Sequence, residues 1–230
     1  MSLREFFEQD DHRLMHKWMH YFDIYESHFS KFRGKDIVLL EFGVLHGGSL
    51  QMWKEYFGSG SRIIGADINA RCKALAENQI EIQLVDQDSK ESLAKLADSL
   101  PPVDIVIDDG GHVMHQQNNT FEIFWLKLKN GGVYLCEDTH TSYWPAFGGG
   151  LYKDDTFIER SKKLIDRLHA WHFQDPHLSV DELTKSIGGI HFYDSVVVLD
   201  KRVVEPPSSR MKGVPAFPLT PGEQAVFDRK

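Results

Sequence analysis

The chain reads as an α/β protein on a doubly wound, mostly parallel sheet of seven strands. Three observations predict it. Short apolar runs alternate with helix-length amphipathic stretches from residue 36 to residue 171. Each run gives way to a segment rich in acids or glycines, the residue types that furnish a binding edge in such sheets. The last two runs, Ile187 to Tyr193 and Val196 to Asp200, are joined too tightly for a parallel crossover and predict an antiparallel C-terminal hairpin.

The elements follow in order. Residues 11 to 32 carry an aromatic-rich helical pattern in which Trp18, Tyr21, Phe22 and Tyr25 recur at helical spacing, a candidate helical lid. Gly34 breaks it. Asp36 to Phe42 reads as strand one and Ser49 to Phe57 as its helix. Arg62 to Ala66 is strand two, followed by a helix over Ala70 to Glu77. Glu81 to Val85 is strand three, with a helix over Ser89 to Leu100. Val103 to Ile107 is strand four, His115 to Leu128 its helix, and Val133 to Cys136 strand five. A Gly-rich loop, Trp144 to Gly150, is read as a lid or a simple turn, and leads to a helix over Asp155 to Trp171. The organisation expected is an N-terminal helical segment over 1–33, one domain over 34–202 and an irregular, Pro-rich tail over 203–230.

Composition narrows the function. With 230 residues and 41% hydrophobic content, the chain can bury a core of its own. A net charge of -8 argues against a nucleic-acid partner, since such proteins carry a basic face. No apolar run approaches the roughly 18 residues that span a bilayer. The start of the chain lacks a basic-then-apolar signal pattern, and a cytoplasmic location with no membrane partner is expected. Cys136 falls in a central strand, so its pairing with Cys72, the other cysteine, is not expected. The aromatic N-terminal segment and the Pro-rich tail are candidate surfaces for a homo-oligomer.

Two acidic clusters carry the chemistry: Asp108-Asp109-Gly110-Gly111-His112 after strand four, and Glu137-Asp138-Thr139-His140 after strand five. A strand–helix–strand unit makes these strands parallel, so both clusters emerge at one sheet edge. Four carboxylates and a histidine in one mouth cannot all ionise unaided. Asp109, Glu137 and Asp138 offer hard oxygen ligands suited to Mg2+ or a similar ion. His112 stands where a neutral imidazole can take a proton from a substrate hydroxyl, with His115 and His140 as alternatives. A single Asp-Asp pair more often caps a helix or pairs with lysine; two clusters on adjacent strand ends argue for a site.

A cofactor site is read at the other strand ends. Glu41-x-Gly43-x-x-x-Gly47-x-Ser49 forms a strand-to-helix turn, Asp67 ends strand two where an acid can accept ribose hydroxyls, and Asp86-Gln87 follows strand three where an adenine edge can be read. Turn glycines alone would be weak; the acid at the next strand end strengthens the reading. The glycine spacing departs from the dinucleotide fingerprint and disfavours an NAD oxidoreductase. Glu41 would repel a pyrophosphate but suits a sulfonium or amino-acid cation.

This pattern resembles the class I S-adenosylmethionine-dependent methyltransferases, over about residues 36 to 201, and implies their Rossmann-like fold and cofactor. The resemblance adds Asp109 to the cofactor-binding candidates beside Glu41, Gly43, Gly47, Ser49, Asp67, Asp86 and Gln87. The acidic clusters, with Asp-Asp-Gly-x-His and then Glu-Asp, are similar to those of the metal-dependent sugar O-methyltransferases of natural-product pathways. That resemblance implies Asp109, Glu137 and Asp138 as metal ligands, His112 as base, and a small hydroxylated acceptor such as a sugar of a natural product or polysaccharide. Lys17-Trp18, His20-Tyr21 and Tyr25, with Thr141 to Trp144 and the triple glycine, also look like that group. Two alternatives stand beside it: a cephalosporin hydroxylase-like pathway protein, which shares the Asp-Asp-Gly-x-His pattern, and a cofactor-binding protein without transfer chemistry. Trp18, Tyr21, Tyr25 and Tyr143 are candidates for a sugar-stacking wall or for core.

Overall fold

The computed structural model describes residues 1–174 and 177–227. Its strands are β1 (Val38–Phe42), β2 (Arg62–Asp67), β3 (Ile80–Leu84), β4 (Val103–Asp108), β5 (Leu128–Cys136), β6 (Ile187–Tyr193) and β7 (Val196–Lys201). Its α-helices are α1 (Leu3–Phe7), α2 (Tyr21–Phe29), α3 (Gly48–Phe57), α4 (Lys90–Ser99), α5 (Met114–Lys127), α6 (Phe157–His169) and α7 (Pro221–Phe227). The strands form one seven-stranded sheet in the order β3-β2-β1-β4-β5-β7-β6. The first five are parallel; β7 runs antiparallel to β5 and to β6. This is the doubly wound sheet with an antiparallel hairpin that the sequence predicts.

Why the central strands read as continuous apolar runs is clear from their two faces. Leu39, Ile63, Ile105, Ile107, Val133 and Leu135 point to one side, where α2 and α3 cover them. Leu40, Phe42, Ile64, Val106, Tyr134 and Cys136 point to the other, towards α4, α5 and α6. With both faces covered, these strands read as near-continuous apolar runs. Fully burying one such side chain stabilises by about 1.5–3 kcal/mol. Cys72 and Cys136 are both free and buried. No helix among the described residues is long and apolar enough to cross a membrane.

Four expectations are corrected. The helical pattern over 11–32 is helical only from Tyr21, as α2 to Phe29 and then a 3-10 turn over Ser30–Phe32. Residues 13–18 instead run as irregular chain across the start of α3. There the Arg13 backbone N–H donates to Gln51 Oε1 at 3.0 Å, and its guanidinium pairs with Glu77 at 3.0 Å. A Cβ on Gly48 would come within 2.2 Å of Arg13 O, so glycine at 48 makes this crossing feasible. The helix expected over Ala70 to Glu77 is a 3-10 turn over Ala70–Leu75, because Glu77 and Ile80 exchange backbone hydrogen bonds and turn the chain into β3. The helix expected to run to Trp171 is α-helical only to His169 and tightens to 3-10 over Ala170–His172. The tail expected to be irregular throughout contains α7, where Thr220 and Glu223 cap each other reciprocally.

The N-terminal residues share the core of the domain. Phe22, Tyr25 and Phe29 of α2 pack with Trp53 and Phe57 of α3. The Tyr25 and Trp53 rings meet edge-on at 5.1 Å and the Phe29 and Trp53 rings at 5.8 Å, favourable aromatic geometry.

Candidate active site

The C-terminal ends of β1, β4 and β5 lie side by side, with Phe42, Asp108 and Cys136 in register. Main-chain bonds continue the ladder one step further: Asp109 N donates to Phe42 O at 3.0 Å and Glu137 N to Asp108 O at 2.9 Å. Strand parity then sorts the acids. Glu41, Asp109 and Glu137 each lie two residues beyond a residue (Leu39, Ile107, Leu135) on the α2–α3 face of the sheet, and converge there. Asp108 falls on the opposite face. It is buried, accepting from Gln87 Nε2 at 2.9 Å and Tyr134 Oη at 3.2 Å, and burial raises its pKa. The expected four-carboxylate mouth therefore loses Asp108 and gains Glu41 beneath its floor.

At the convergence sits Lys17, delivered by the irregular chain that precedes α2. Its Nζ lies 2.6 Å from Asp109 Oδ2, 3.0 Å from both oxygens of Glu137 and 3.6 Å from Glu41 Oε1. The Lys17 side chain is only 2% exposed. Burial opposes its charge, but Asp109 and Glu137 outweigh that and hold its pKa well above the usual lysine range. Burial raises Glu137 to about 8, with Asp109 adding to the effect, and raises Glu41 to about 7. Even with Lys17 in place the cluster is short of positive charge.

The predicted site residues divide into groups. Gly43, Ser49, Asp67, Asp86, Gln87, Asp109, His112, Glu137 and Asp138 all line one cavity of about 660 Å³, a volume ordinary for a cofactor site. Glu41 lies fully buried below it, accepting from Ser49 Oγ at 2.8 Å, and the cation it faces is Lys17. Gly47 caps α3 in a left-handed conformation. Gly43, at φ +87°, permits a close approach of strand ends: a Cβ there would meet Asp109 O at 1.9 Å. Asp67 accepts from Val44 N at 2.8 Å and Asn69 N at 2.7 Å, which orders the glycine turn and leaves lone pairs towards the cavity. Asp86 Oδ1 accepts from Asp88 N at 2.9 Å. Gln87 donates to Asp108 and Thr120 and accepts from Gly111 N at 3.1 Å, so its side chain braces the His112 loop.

His112 and Asp138 complete the mouth, both in left-handed backbone (φ 57° and 51°). His112 Nε2 lies 3.5 Å from Asp138 Oδ2 and 4.0 Å from Asp109 Oδ1. Asp109, His112 and Asp138 each offer a ligand atom within 4.8 Å of the others. The Glu137 carboxylate is held by Lys17 and by Tyr25 Oη at 2.6 Å. Tyr21 Oη lies 2.7 Å from Asp138 Oδ1 and 2.8 Å from Ser195 Oγ, tying α2 to the turn between β6 and β7. Tyr21 and Tyr25 are buried and position acids, and Tyr21 also lines the cavity. Trp18 lines the cavity and is half-exposed, Tyr143 and Trp144 are exposed, and His140 packs edge-on against both Trp18 at 6.3 Å and Trp144 at 4.6 Å. His115 pairs with Asp88 at 2.6 Å on the outer rim, and His140 Nδ1 with Ser195 Oγ at 2.5 Å; neither imidazole is paired with Asp109 or Asp138.

The donor set fits a hard divalent cation at Asp109 and Asp138, whose carboxylates offer ligand atoms within 4.8 Å of each other in the mouth of the cavity. Sequence reasoning did not find Lys17 as the centre of this cluster. The signals for it are a lysine inside an aromatic-rich stretch and the resemblance of Lys17-Trp18 to the sugar O-methyltransferases.

Residues 40–139 match the family model described as "Methyltransferase domain". The chain is 37% identical over 190 residues to the 8-demethyl-8-alpha-L-rhamnosyl tetracenomycin-C 2'-O-methyltransferase of Streptomyces olivaceus, covering 77% of this chain and 49% of that protein. It is 34% identical over 190 residues to the mycinamicin VI 2''-O-methyltransferase of Micromonospora griseorubida, covering 77% and 47%. Among solved structures, MycE methyltransferase of the mycinamycin biosynthetic pathway, in complex with Mg and SAH, superposes with a TM-score of 0.77 at 31% identity, covering 87% of this chain and 53% of that one. The chain spans about half the length of the curated relatives it matches.

Proposed function

We propose that this chain, a member of the methyltransferase family with natural-product sugar O-methyltransferases among its relatives, methylates a hydroxyl of a small glycoside. The observation that carries the reading is His112 Nε2 facing Asp109 and Asp138 at the mouth of the cavity. When bound, S-adenosylmethionine supplies an electrophilic methyl group and a divalent cation such as Mg2+ supplies positive charge beside the acceptor oxygen. Support comes from the named relatives and from MycE, crystallised with Mg and SAH and, in a second structure, also with mycinamycin VI.

The residues divide the work. Asp67, Asp86 and the Gly43 turn border the part of the cavity that would take the nucleoside; Asp109 and Asp138 would hold the cation. Glu137 joins them as a third ligand only if its bonds to Lys17 yield. His112 Nε2 takes the acceptor proton, and Tyr21 fixes Asp138 for it. The exposed Trp18, which lines the cavity, and Trp144, joined to it through His140, give a sugar face something to stack on. Orientation of acceptor and donor in one cavity provides much of the rate.

The decisive experiment is calorimetric titration with S-adenosylhomocysteine, with and without Mg2+, followed by a screen of glycosides as methyl acceptors. Micromolar or tighter binding and methyl transfer to a sugar hydroxyl support the reading; absence of binding refutes it. In the same assay Asp67→Ala is expected to weaken binding by about 1–3 kcal/mol, the cost of a lost hydrogen bond to a charged group. Unchanged affinity would remove Asp67 from the cofactor site. Chelator, or Asp138→Asn, is expected to abolish turnover while leaving the protein folded by circular dichroism. Full activity in chelator would sink the metal assignment.

A further inference from the structure

On the sheet face that α2 covers, well away from the cofactor loops, a second group of metal-binding side chains comes together. The β-bulge at the start of β6 places Gly189 opposite Asp200, and strand alternation then puts Gly189, His191 and Tyr193 on one face with Val196, Val198 and Asp200. Val196 and Val198 pack into the same cluster as Tyr25 and Phe29, so this is the α2 side. His28, three residues beyond Tyr25 and on the same side of the helix, therefore comes down on His191. The two imidazoles meet at 4.7 Å between centroids. His191 Nε2 lies 2.9 Å from Asp200 Oδ2, and one ligand atom from each of His28, His191 and Asp200 lies within 4.8 Å of the other two.

We propose that His28, His191 and Asp200 form a second metal site, specific for a zinc-class transition ion, that pins α2 to the C-terminal hairpin. The ligand chemistry differs from that of the active site. Two imidazoles and one carboxylate suit Zn2+, Co2+ or Ni2+, whereas Mg2+ takes oxygen donors. Tetrahedral zinc with bonds of about 2.0–2.1 Å sets its ligand atoms about 3.3–3.4 Å apart, so atoms now within 4.8 Å of one another close by at most about 1.5 Å, and the 2.9 Å His191–Asp200 pair opens slightly. His191 is partly exposed and can make that movement, and His28 is buried and held by Tyr193 Oη at 2.9 Å. Gly189 leaves the space beside both ligands free of a side chain: a Cβ there would sit 3.4 Å from His191 Nε2 and 3.6 Å from Asp200 Oδ2. Lys31 Nζ, 3.6 Å away, engages the other oxygen, Asp200 Oδ1, and leaves Oδ2 to the site. The structural consequence is a clamp, since α2 also carries Tyr21 and Tyr25, which hold Asp138 and Glu137.

The test uses the full chain, stripped of metal and then saturated with Mg2+ so that the acidic site is filled. Co2+ is titrated in, followed by Zn2+. The expected result is one equivalent of Co2+ with the visible absorption of a four-coordinate nitrogen–oxygen site, displaced by Zn2+, and a higher melting temperature with Zn2+. Asp138→Asn should retain that equivalent. His191→Asn and Asp200→Asn, checked for folding by circular dichroism, should each weaken it by at least about tenfold. No Co2+ uptake above the Mg2+-filled site overturns the proposal. So does uptake that survives both hairpin variants, or uptake lost in Asp138→Asn. None of these outcomes depends on whether the protein transfers methyl groups.

Discussion

Lys17→Met is expected to destabilise the metal-free protein by about 3–5 kcal/mol, the usual cost of removing one partner from a buried ion cluster. The ammonium is nearly inaccessible and touches Asp109 and Glu137, with Glu41 at 3.6 Å. Methionine fills much of the space, so the loss is mainly electrostatic. The pH dependence identifies its origin. Glu137 and Glu41 are already raised, to about 8 and about 7, from an ordinary value of 4.5, and loss of the ammonium pushes both higher. An acid whose folded pKa is raised binds its proton more tightly when folded, so stability falls as pH rises from 4.5 through the folded value. The deficit of the variant should be small near pH 5 and grow towards pH 8 and above. Urea titrations of both proteins across that range check it; a deficit independent of pH would make Lys17 a packing residue.

The same geometry predicts competition. Lys17 and a divalent cation draw on the same Asp109 carboxylate, so the variant lacking the ammonium should gain more melting temperature from Mg2+ than the wild type does. Equal shifts in the two proteins would mean that the cation sits on Asp138 and His112 alone, without drawing on Asp109.

What the sequence reveals here follows from how far apart the interacting residues lie. The parallel sheet is legible because each strand and its crossover helix are local, and because both faces are covered. That same topology carries Glu41, Asp109 and Glu137 to one edge with no knowledge of tertiary contacts. Parity along β4 would also have separated Asp108 from Asp109, since Val106 and Ile107 already point to opposite faces. Lys17 was not legible. It meets Asp109 across 92 residues and Glu137 across 120, and spacing carries no signal at that range. The helical pattern over 11–32 misled for a related reason: the reach of Lys17 and Arg13 across the sheet edge overrides the local preference up to Tyr21.

His112→Ala is expected to lower turnover by about 10²–10⁴-fold, the usual contribution of a positioned general base, with S-adenosylhomocysteine affinity nearly unchanged. The separation is geometric. The imidazole stands over Asp109 and Asp138, whereas Asp67 and Asp86 end other strands of the cavity lining. The base is held in place by its loop: Thr141 Oγ1 donates to His112 O at 3.0 Å, and Gln87 braces Gly111. The tautomer with its proton on Nδ1 would leave the Nε2 lone pair facing the acceptor oxygen. Because φ at 112 is 57°, a backbone region where histidine and asparagine are several-fold enriched, alanine there costs roughly 0.5–1 kcal/mol, which a stability measurement would register. His112→Asn is the control, since asparagine tolerates left-handed backbone and lacks a basic nitrogen. Equal loss of turnover in both variants, with stability falling chiefly in the alanine one, assigns the effect to the imidazole. A fully active His112→Asn would remove His112 as the base and move the search to a water held by Asp138.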